Sequence, residues 1–384
     1  MTTLYFGAAK RAIEVGDIAH VAQDAALLLD SGMELRNIPV AYQTYGRLNK
    51  DKSNAILICH ALTGDQYVAS NNPLTERAGW WNNMVGSRKP IDTDKFFVIC
   101  SNILGGCFGT YGPRCEEKGE PIALNFPVVT IGDMVRVQER LVASFGIEQL
   151  FAVIGGSLGG MQVLQWTLDF PDKMICAIPI ATTYRHSAQN IAYHEIGRQA
   201  IMTDPNWKGG YYYKEDTYPE SGLAVARMTA HVTYLSEVAL QHKFGRKLQD
   251  GNTMSYSFDA NFQVESYLRY QGNNFVQRFD PNSYLYITKA ADYFDVTAHH
   301  NGSVSKAFSK ARASFCVLSF SSDWLYTTQE ARIIVRALTA QGLDVSFSEI
   351  SSPHGHDGFL LDDADYMRVI SGYLSGKAHA SGVI

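Results

Sequence analysis

The chain has 384 residues, 46% of them hydrophobic and 18% charged, with a formal net charge of -5. This is the make-up of a globular protein with a large core, and the length calls for one core carrying an insertion, or for two domains. The negative balance argues against nucleic acid or an anionic membrane as the main partner. No stretch approaches the roughly 20 apolar residues of a membrane span. Met1 to Gly7 lacks the basic and apolar regions of a signal peptide. The six cysteines (Cys59, Cys100, Cys107, Cys115, Cys176, Cys316) form no Cys-x-x-Cys pair, and several sit in apolar runs. They read as reduced core residues of a cytoplasmic protein, with no metal site expected.

Residues 1–37 are of mixed composition and are expected to cover a sheet edge. Ile38 to Tyr45 reads as a strand, and Asn54 to His60 as a second, apolar enough to be buried on both faces. The second runs into a loop, His60-Ala61-Leu62-Thr63-Gly64-Asp65. Lys95 to Ser101 repeats the pattern and ends in Asn102-Ile103-Leu104-Gly105-Gly106. From Ile131 to Phe145, Met134, Val135, Gln138, Leu141, Val142 and Phe145 recur at helical spacing, and Gly146 ends the helix. A further apolar run, Leu150 to Ile154, goes straight into Gly155-Gly156-Ser157-Leu158-Gly159. A helix from Met161 to Phe170 follows, stopping before Pro171, and then a strand from Met174 to Ile180. Strands alternating with helices predict a mostly parallel sheet with helices on both sides.

From about Tyr184 to Asp295 the chain turns helical and aromatic. Met228, Val232, Leu235 and Val238 mark one face of a helix that Glu220 opens. Gly209-Gly210 with Tyr211 to Tyr213, and Gly251-Asn252, read as loops. This stretch is expected to be an inserted helical lid over 184–295, with 1–183 and 296–384 forming a discontinuous α/β core. The strand–helix rhythm returns with Ala313 to Phe320 (strand), Thr327 to Ala340 (helix), Leu343 to Ile350 (strand) and a last helix from about Asp362 to Leu374.

The strand–Gly-x-Ser-x-Gly–helix context marks a nucleophile elbow, with Ser157 on a strained turn above the sheet. A serine hydroxyl needs a base, and the base an orienting acid. In hydrolase-type sheets these follow in the order Ser, acid, His, each on a loop after a strand. Asp323 and His356 fit that order. His354 is the competing histidine; Gly355 and the Asp357-Gly358 turn favour His356. A helix N-cap is the alternative role for Asp323. Two backbone N–H groups must face the developing oxyanion, and Leu158 and Leu62 are the candidates. His60 reads as a packed residue that shapes its loop.

His60-Ala61-Leu62-Thr63-Gly64-Asp65, Asn102-Ile103-Leu104-Gly105-Gly106-Cys107, Gly155-Gly156-Ser157-Leu158-Gly159-Gly160-Met161-Gln162, Ser322-Asp323-Trp324-Leu325-Tyr326 and Gly355-His356-Asp357 together resemble the homoserine O-acetyltransferases. These are acyltransferases of methionine biosynthesis with an α/β-hydrolase fold, and the motifs run in order from about residue 35 to 375. The resemblance implies Ser157 as nucleophile, Asp323 and His356 as its partners, and a homodimer formed through the helical lid. It also implies ping-pong transfer of an acyl group from acyl-CoA to the hydroxyl of L-homoserine, with no cofactor besides the acetyl-CoA co-substrate. Arg227 matches the family's arginine for the substrate carboxylate, a group that a guanidinium fork suits. Asp357 matches the residue for the ammonium. Tyr234, seven residues after Arg227 on the same helical face, is a candidate to line the acceptor pocket.

Related enzymes that use succinyl-CoA resemble Asp-Trp-Arg-Phe at the acid loop, whereas here the third position is Leu325. A succinyl carboxylate without a counter-charge in a dry pocket would cost several kcal/mol, so acetyl is expected. Thr327-Thr328 departs from the proline usual after the tyrosine. The competing readings are a homoserine O-succinyltransferase, a serine esterase on the same fold, and a catalytically inactive binding module. Arg227 with Asp357 argues against an esterase for uncharged substrates, and an intact Ser157, Asp323, His356 set argues against a binding module.

Overall fold

The long apolar runs become the middle of an eight-stranded sheet. Its strands are β1 (Asp17–Val21), β2 (Ile38–Tyr45), β3 (Ala55–Cys59), β4 (Phe97–Ser101), β5 (Leu150–Gly156), β6 (Met174–Ile180), β7 (Ser314–Phe320) and β8 (Val345–Ile350). The structure is a computed structural model that describes residues 3–6, 11–215, 217–249, 251 and 253–384. The strand order is β8-β7-β6-β5-β3-β4-β2-β1. Strands β3 to β8 pair in parallel, while β2 is antiparallel to β4 and β1 to β2.

Every residue of β3, β4 and β5 is buried, because helices cover both faces and a continuous apolar run is what such a strand needs. Alternate residues of β3 face two separate cores: Leu57 and Cys59 join one, Ile56 and Ile58 the other. Helices α1 (Ile131–Ser144) and α2 (Leu158–Asp169) pack on the first. The 184–295 segment then contributes α3 (Ala188–Met202), α4 (Glu220–Tyr234), α5 (Glu237–Lys243), α6 (Gln263–Val276) and α7 (Pro281–Asp292). Helix α8 (Thr328–Ala340) returns to the first core, and α9 (Ala364–Ala380) closes the second through Tyr366, Ile370 and Leu374.

Three expectations change. Residues 17–21 do not cover the sheet edge but form its outermost strand, with Asp17 opposite Tyr42 and Val21 opposite Ile38. Five residues give too short a pattern to announce a strand, so pairing with β2 makes it one. The helix opened by Glu220 does not continue to Val238: α4 stops at Tyr234, and Ser236 caps α5 by accepting the Ala239 N–H at 2.9 Å. The break is held from the core, since Trp324 Nε1 donates to Leu235 O at 3.0 Å and Ser236 Oγ donates to Pro353 O. Residues 205–214 are 3-10 turns rather than open loop, with Tyr212 buried and its hydroxyl 2.8 Å from Asp280 Oδ1. Asn252 of the expected Gly251-Asn252 loop lies outside the described residues.

The inserted segment leaves and returns at one place: Arg185 and Asp295 pair in an antiparallel bridge. All six cysteines are free. Among the described residues no helix is long and apolar enough to cross a membrane.

Candidate active site

Strand β5 ends at Gly156 and α2 begins at Leu158, leaving Ser157 between them with φ 61° and ψ −125°. A side chain held in so sparse a region stores about 1–3 kcal/mol. The conformation is pinned at both ends, because Ser157 N–H donates to Ile180 O at 2.9 Å and Thr182 Oγ1 donates to Ser157 O at 2.8 Å. The glycines follow from close backbone packing. A Cβ on Gly159 would stand 2.1 Å from the Cys59 carbonyl oxygen, and one on Gly155 would stand 2.5 Å from the Gly159 backbone. Strands β3 and β5 and helix α2 therefore meet where no side chain fits.

The three predicted residues converge. His356 Nε2 lies 2.8 Å from Ser157 Oγ, and His356 Nδ1 lies 2.8 Å from Asp323 Oδ2. The other oxygen, Asp323 Oδ1, accepts the N–H groups of Leu325 at 2.9 Å and Tyr326 at 3.0 Å. Ser157, Asp323 and His356 are 8%, 4% and 3% exposed, so this chain of hydrogen bonds is shielded from water. Thr327, not Asp323, caps α8, in a capping box with Glu330, so the threonine in place of the family's proline anchors the helix start. The competing histidine, His354, is exposed. The His356 ring is packed by the rings of Tyr326, Phe359 and Tyr234 at 5.1, 5.5 and 5.9 Å.

His60 is a packed residue, as expected. Its Nε2 accepts the Ile103 N–H at 3.2 Å, which places the ring proton on Nδ1, 2.7 Å from Ala61 O. Burial pulls its pKa down to about 4, so it is neutral near pH 7 and holds the 60–65 loop to the end of β4. Gln162 Nε2 ties the same loop to α2 through His60 O at 3.1 Å. Leu62 is partly buried in that loop, and Leu158 is the first residue of α2. The opening N–H groups of a helix have no partner within it.

Arg227 projects from α4 into a cleft of about 600 Å³ that Ala61, Thr63, Phe275 and Arg278 also line. Its guanidinium sits 4.8 Å from the Phe275 ring centre and 5.5 Å from that of Tyr234, with Nη1 3.4 Å from Thr63 Oγ1. Tyr234 thus joins Arg227 to His356. Burial raises the pKa of the Asp357 carboxyl, and the charges of His356 and Arg227 oppose that rise. Among the described residues, neither Arg227 nor Asp357 has an ion-pair partner within 4.0 Å. Leu325 packs against the core beside Asp323, its carbonyl held by Asn190 Nδ2 at 3.2 Å.

Sequence reasoning missed Arg278 and Phe275. Arg278 donates to Thr63 O at 3.0 Å, and its guanidinium also lies over the Phe275 ring, 5.2 Å from its centre. Burial first and Arg227 second pull its pKa down to about 10. Neither residue stands in a motif or a periodic pattern; only the fold of the 184–295 segment carries them to the 60–65 loop.

Comparison with known proteins agrees with this geometry. Residues 54–361 match the family described as alpha/beta hydrolase fold. The chain is 59% identical over 362 residues to a homoserine O-acetyltransferase of Rhodospirillum rubrum, covering 94% of this chain and 93% of that one. It is 58% identical to a homoserine O-acetyltransferase of Caulobacter vibrioides, with 93% and 94% covered. Among solved structures, a homoserine O-acetyltransferase from Bacillus anthracis superposes with a TM-score of 0.84 at 27% identity, over 93% of this chain and 96% of the other. A crystallised esterase superposes with a TM-score of 0.83 at 28% identity, over 93% and 99%. The backbone alone does not separate transferase from esterase, but the sequence relationship does: this chain belongs to the homoserine O-acetyltransferase family, on the α/β-hydrolase fold.

Proposed function

We propose that this chain moves the acetyl group of acetyl-CoA to the side-chain hydroxyl of L-homoserine, giving O-acetyl-L-homoserine and CoA. The observation that carries this reading is the line from Asp323 through His356 to Ser157, set beside one arginine and one aspartate that are not spent on other ion pairs. Ser157 Oγ attacks the thioester carbonyl while His356 Nε2 takes its proton, and the N–H groups of Leu158 and Leu62 hold the oxyanion. The C–S bond breaks and the thiolate leaves with the proton from His356. Homoserine then enters, its carboxylate on Arg227 and its ammonium on Asp357, with Tyr234 between Arg227 and His356. His356 takes the hydroxyl proton, the homoserine oxygen attacks the acetyl carbonyl, the bond from that carbonyl to Ser157 Oγ breaks, and His356 gives the proton to Oγ. Asp323 keeps the imidazole oriented throughout.

Leu325 offers no counter-charge for a succinyl carboxylate, which supports acetyl as the group transferred. The 184–295 segment acts as the lid, and a second copy of the chain covers it. Val225, Val232 and Val238 are exposed on α4 and α5, and Tyr256 and Phe258 are almost wholly exposed beyond them. Apolar surface of this kind on a helical insertion is what a homodimer contact buries.

The test is thiol release from acetyl-CoA or succinyl-CoA, with and without homoserine, and mass spectrometry of the product. Release that depends on homoserine and favours acetyl-CoA supports the reading. Equal release without homoserine assigns an esterase-like hydrolase, and a succinylated product overturns the donor.

A further inference from the structure

The chemistry above leaves unused a buried polar cluster where the lid meets the acid loop. Tyr326 links two imidazoles. Its ring packs against His356 at 5.1 Å, with 72° between the planes, and its hydroxyl lies 2.7 Å from His186 Nε2. Its backbone N–H is one of the two that fix the Asp323 carboxylate. Behind His186 stands Asp292, at the end of α7. Asp292 Oδ1 is 3.3 Å from His186 Nδ1 and 2.7 Å from His194 Nδ1, and Asp292 Oδ2 is 2.7 Å from an Arg198 Nη.

Protons in this cluster have one consistent arrangement. Burial would raise the Asp292 carboxyl, but His186, His194 and Arg198 outweigh it and hold Asp292 well below the usual carboxylate range. Burial also pulls His186 below the ordinary histidine value and pushes the Tyr326 phenol far up. A neutral His186 donates from Nδ1 to Asp292, so its Nε2 accepts from the Tyr326 hydroxyl. The Asp292–His186–Tyr326 line thus repeats the Asp323–His356–Ser157 line one layer behind it. A metal ion is a poorer occupant. Although the two imidazoles and the carboxylate have ligand atoms within 4.8 Å of one another, Arg198 already places a fixed positive charge on the same carboxylate.

We propose that His186, held by Asp292, is a positioning residue for the transfer reaction: it clamps Tyr326, which backs the His356 ring and fixes Asp323, and so sets the approach of His356 Nε2 to Ser157. His186, His194, Arg198 and Asp292 all belong to the 184–295 segment and Tyr326 to the core. The lid therefore helps to hold the triad from behind, besides covering the substrate. A fully buried tyrosine hydroxyl that loses its acceptor is left unsatisfied, and its ring has reason to move. A displacement near 1 Å at reacting groups costs up to about 10²-fold in rate.

The inference rests on the triad reading above, and the two fail separately. In the whole enzyme, Tyr326→Phe removes only the hydroxyl, His186→Phe removes the clamp, and His186→Gln keeps an acceptor and a donor on one planar group. Each variant is checked for folding by its thermal transition, and kcat and KM are measured for both substrates. The expected result is a fall in kcat of about 10-fold in Tyr326→Phe and His186→Phe, with both KM values within about two-fold, and recovery of most of the loss in His186→Gln. If His186→Phe does not fold, Tyr326→Phe decides. Wild-type kcat in folded Tyr326→Phe, or a change confined to the KM for homoserine, overturns the positioning role. Persistent turnover in Ser157→Ala would instead overturn the triad reading.

Discussion

A strained serine, an imidazole and a carboxylate lie within single hydrogen bonds of one another, and this sets what each substitution does. Ser157→Ala is expected to lower turnover by roughly 10⁴-fold or more, and to abolish the acetyl mass added to the enzyme by acetyl-CoA alone. Arg227→Ala removes a charge-assisted contact of about 1.5–3 kcal/mol. The homoserine KM should then rise by roughly 10- to 100-fold, with single-turnover acetylation by acetyl-CoA unchanged; loss of acetylation would assign Arg227 elsewhere. Burial raises the Asp357 pKa, so the carboxylate is lost at a higher pH than an ordinary aspartate as the solution is acidified. Homoserine KM should therefore climb on the acid side while that for acetyl-CoA stays level, and Asp357→Asn should be weak at every pH. Leu325→Arg should shift donor preference toward succinyl-CoA in parallel initial-rate assays.

At the scale of elements, the crossing of β3, β5 and α2 carries the elbow. A Cβ on Gly159 meets the Cys59 carbonyl at 2.1 Å, backbone that cannot step aside. Gly159→Ala should destabilise the fold by about 1–3 kcal/mol, read by chemical unfolding, and should lower kcat because Ser157 moves with α2. This crossing was readable in the sequence, because a buried strand, a glycine-flanked serine and a helix are local patterns. The break between α4 and α5 was not. Leu235 and Val238 keep helical spacing across it, and the forces that end α4 come from Trp324 and the 353–355 loop, more than eighty residues away along the chain.

At the scale of the molecule, the 184–295 segment touches the catalytic loops through several side chains: Arg227 and Arg278 on the 60–65 loop, Leu235 and Ser236 on the acid and histidine loops, Asn190 on Leu325, and His186 on Tyr326. Val225, Val232, Val238 and Tyr256 are exposed on the 184–295 segment, and Phe258 is fully exposed there. Phe258→Asp or Val238→Asp should shift the protein toward monomers in sedimentation velocity, because burying a carboxylate in such a contact is costly. A wild-type protein that sediments as a monomer would remove the dimer proposal.

The amino-acid sequence by itself determined the strand–helix order, the elbow at Ser157 and the order of Asp323 and His356 after it. Each is written in short-range patterns or in motifs, since periodicity and turn chemistry act between neighbours. Only the tertiary structure decided that residues 17–21 extend the sheet, that the Glu220 helix breaks at Leu235, that Arg278 and Phe275 join the cleft, and that His186 stands behind Tyr326. Those contacts join residues from 17 to 215 positions apart, and no local preference encodes a distance that packing alone closes.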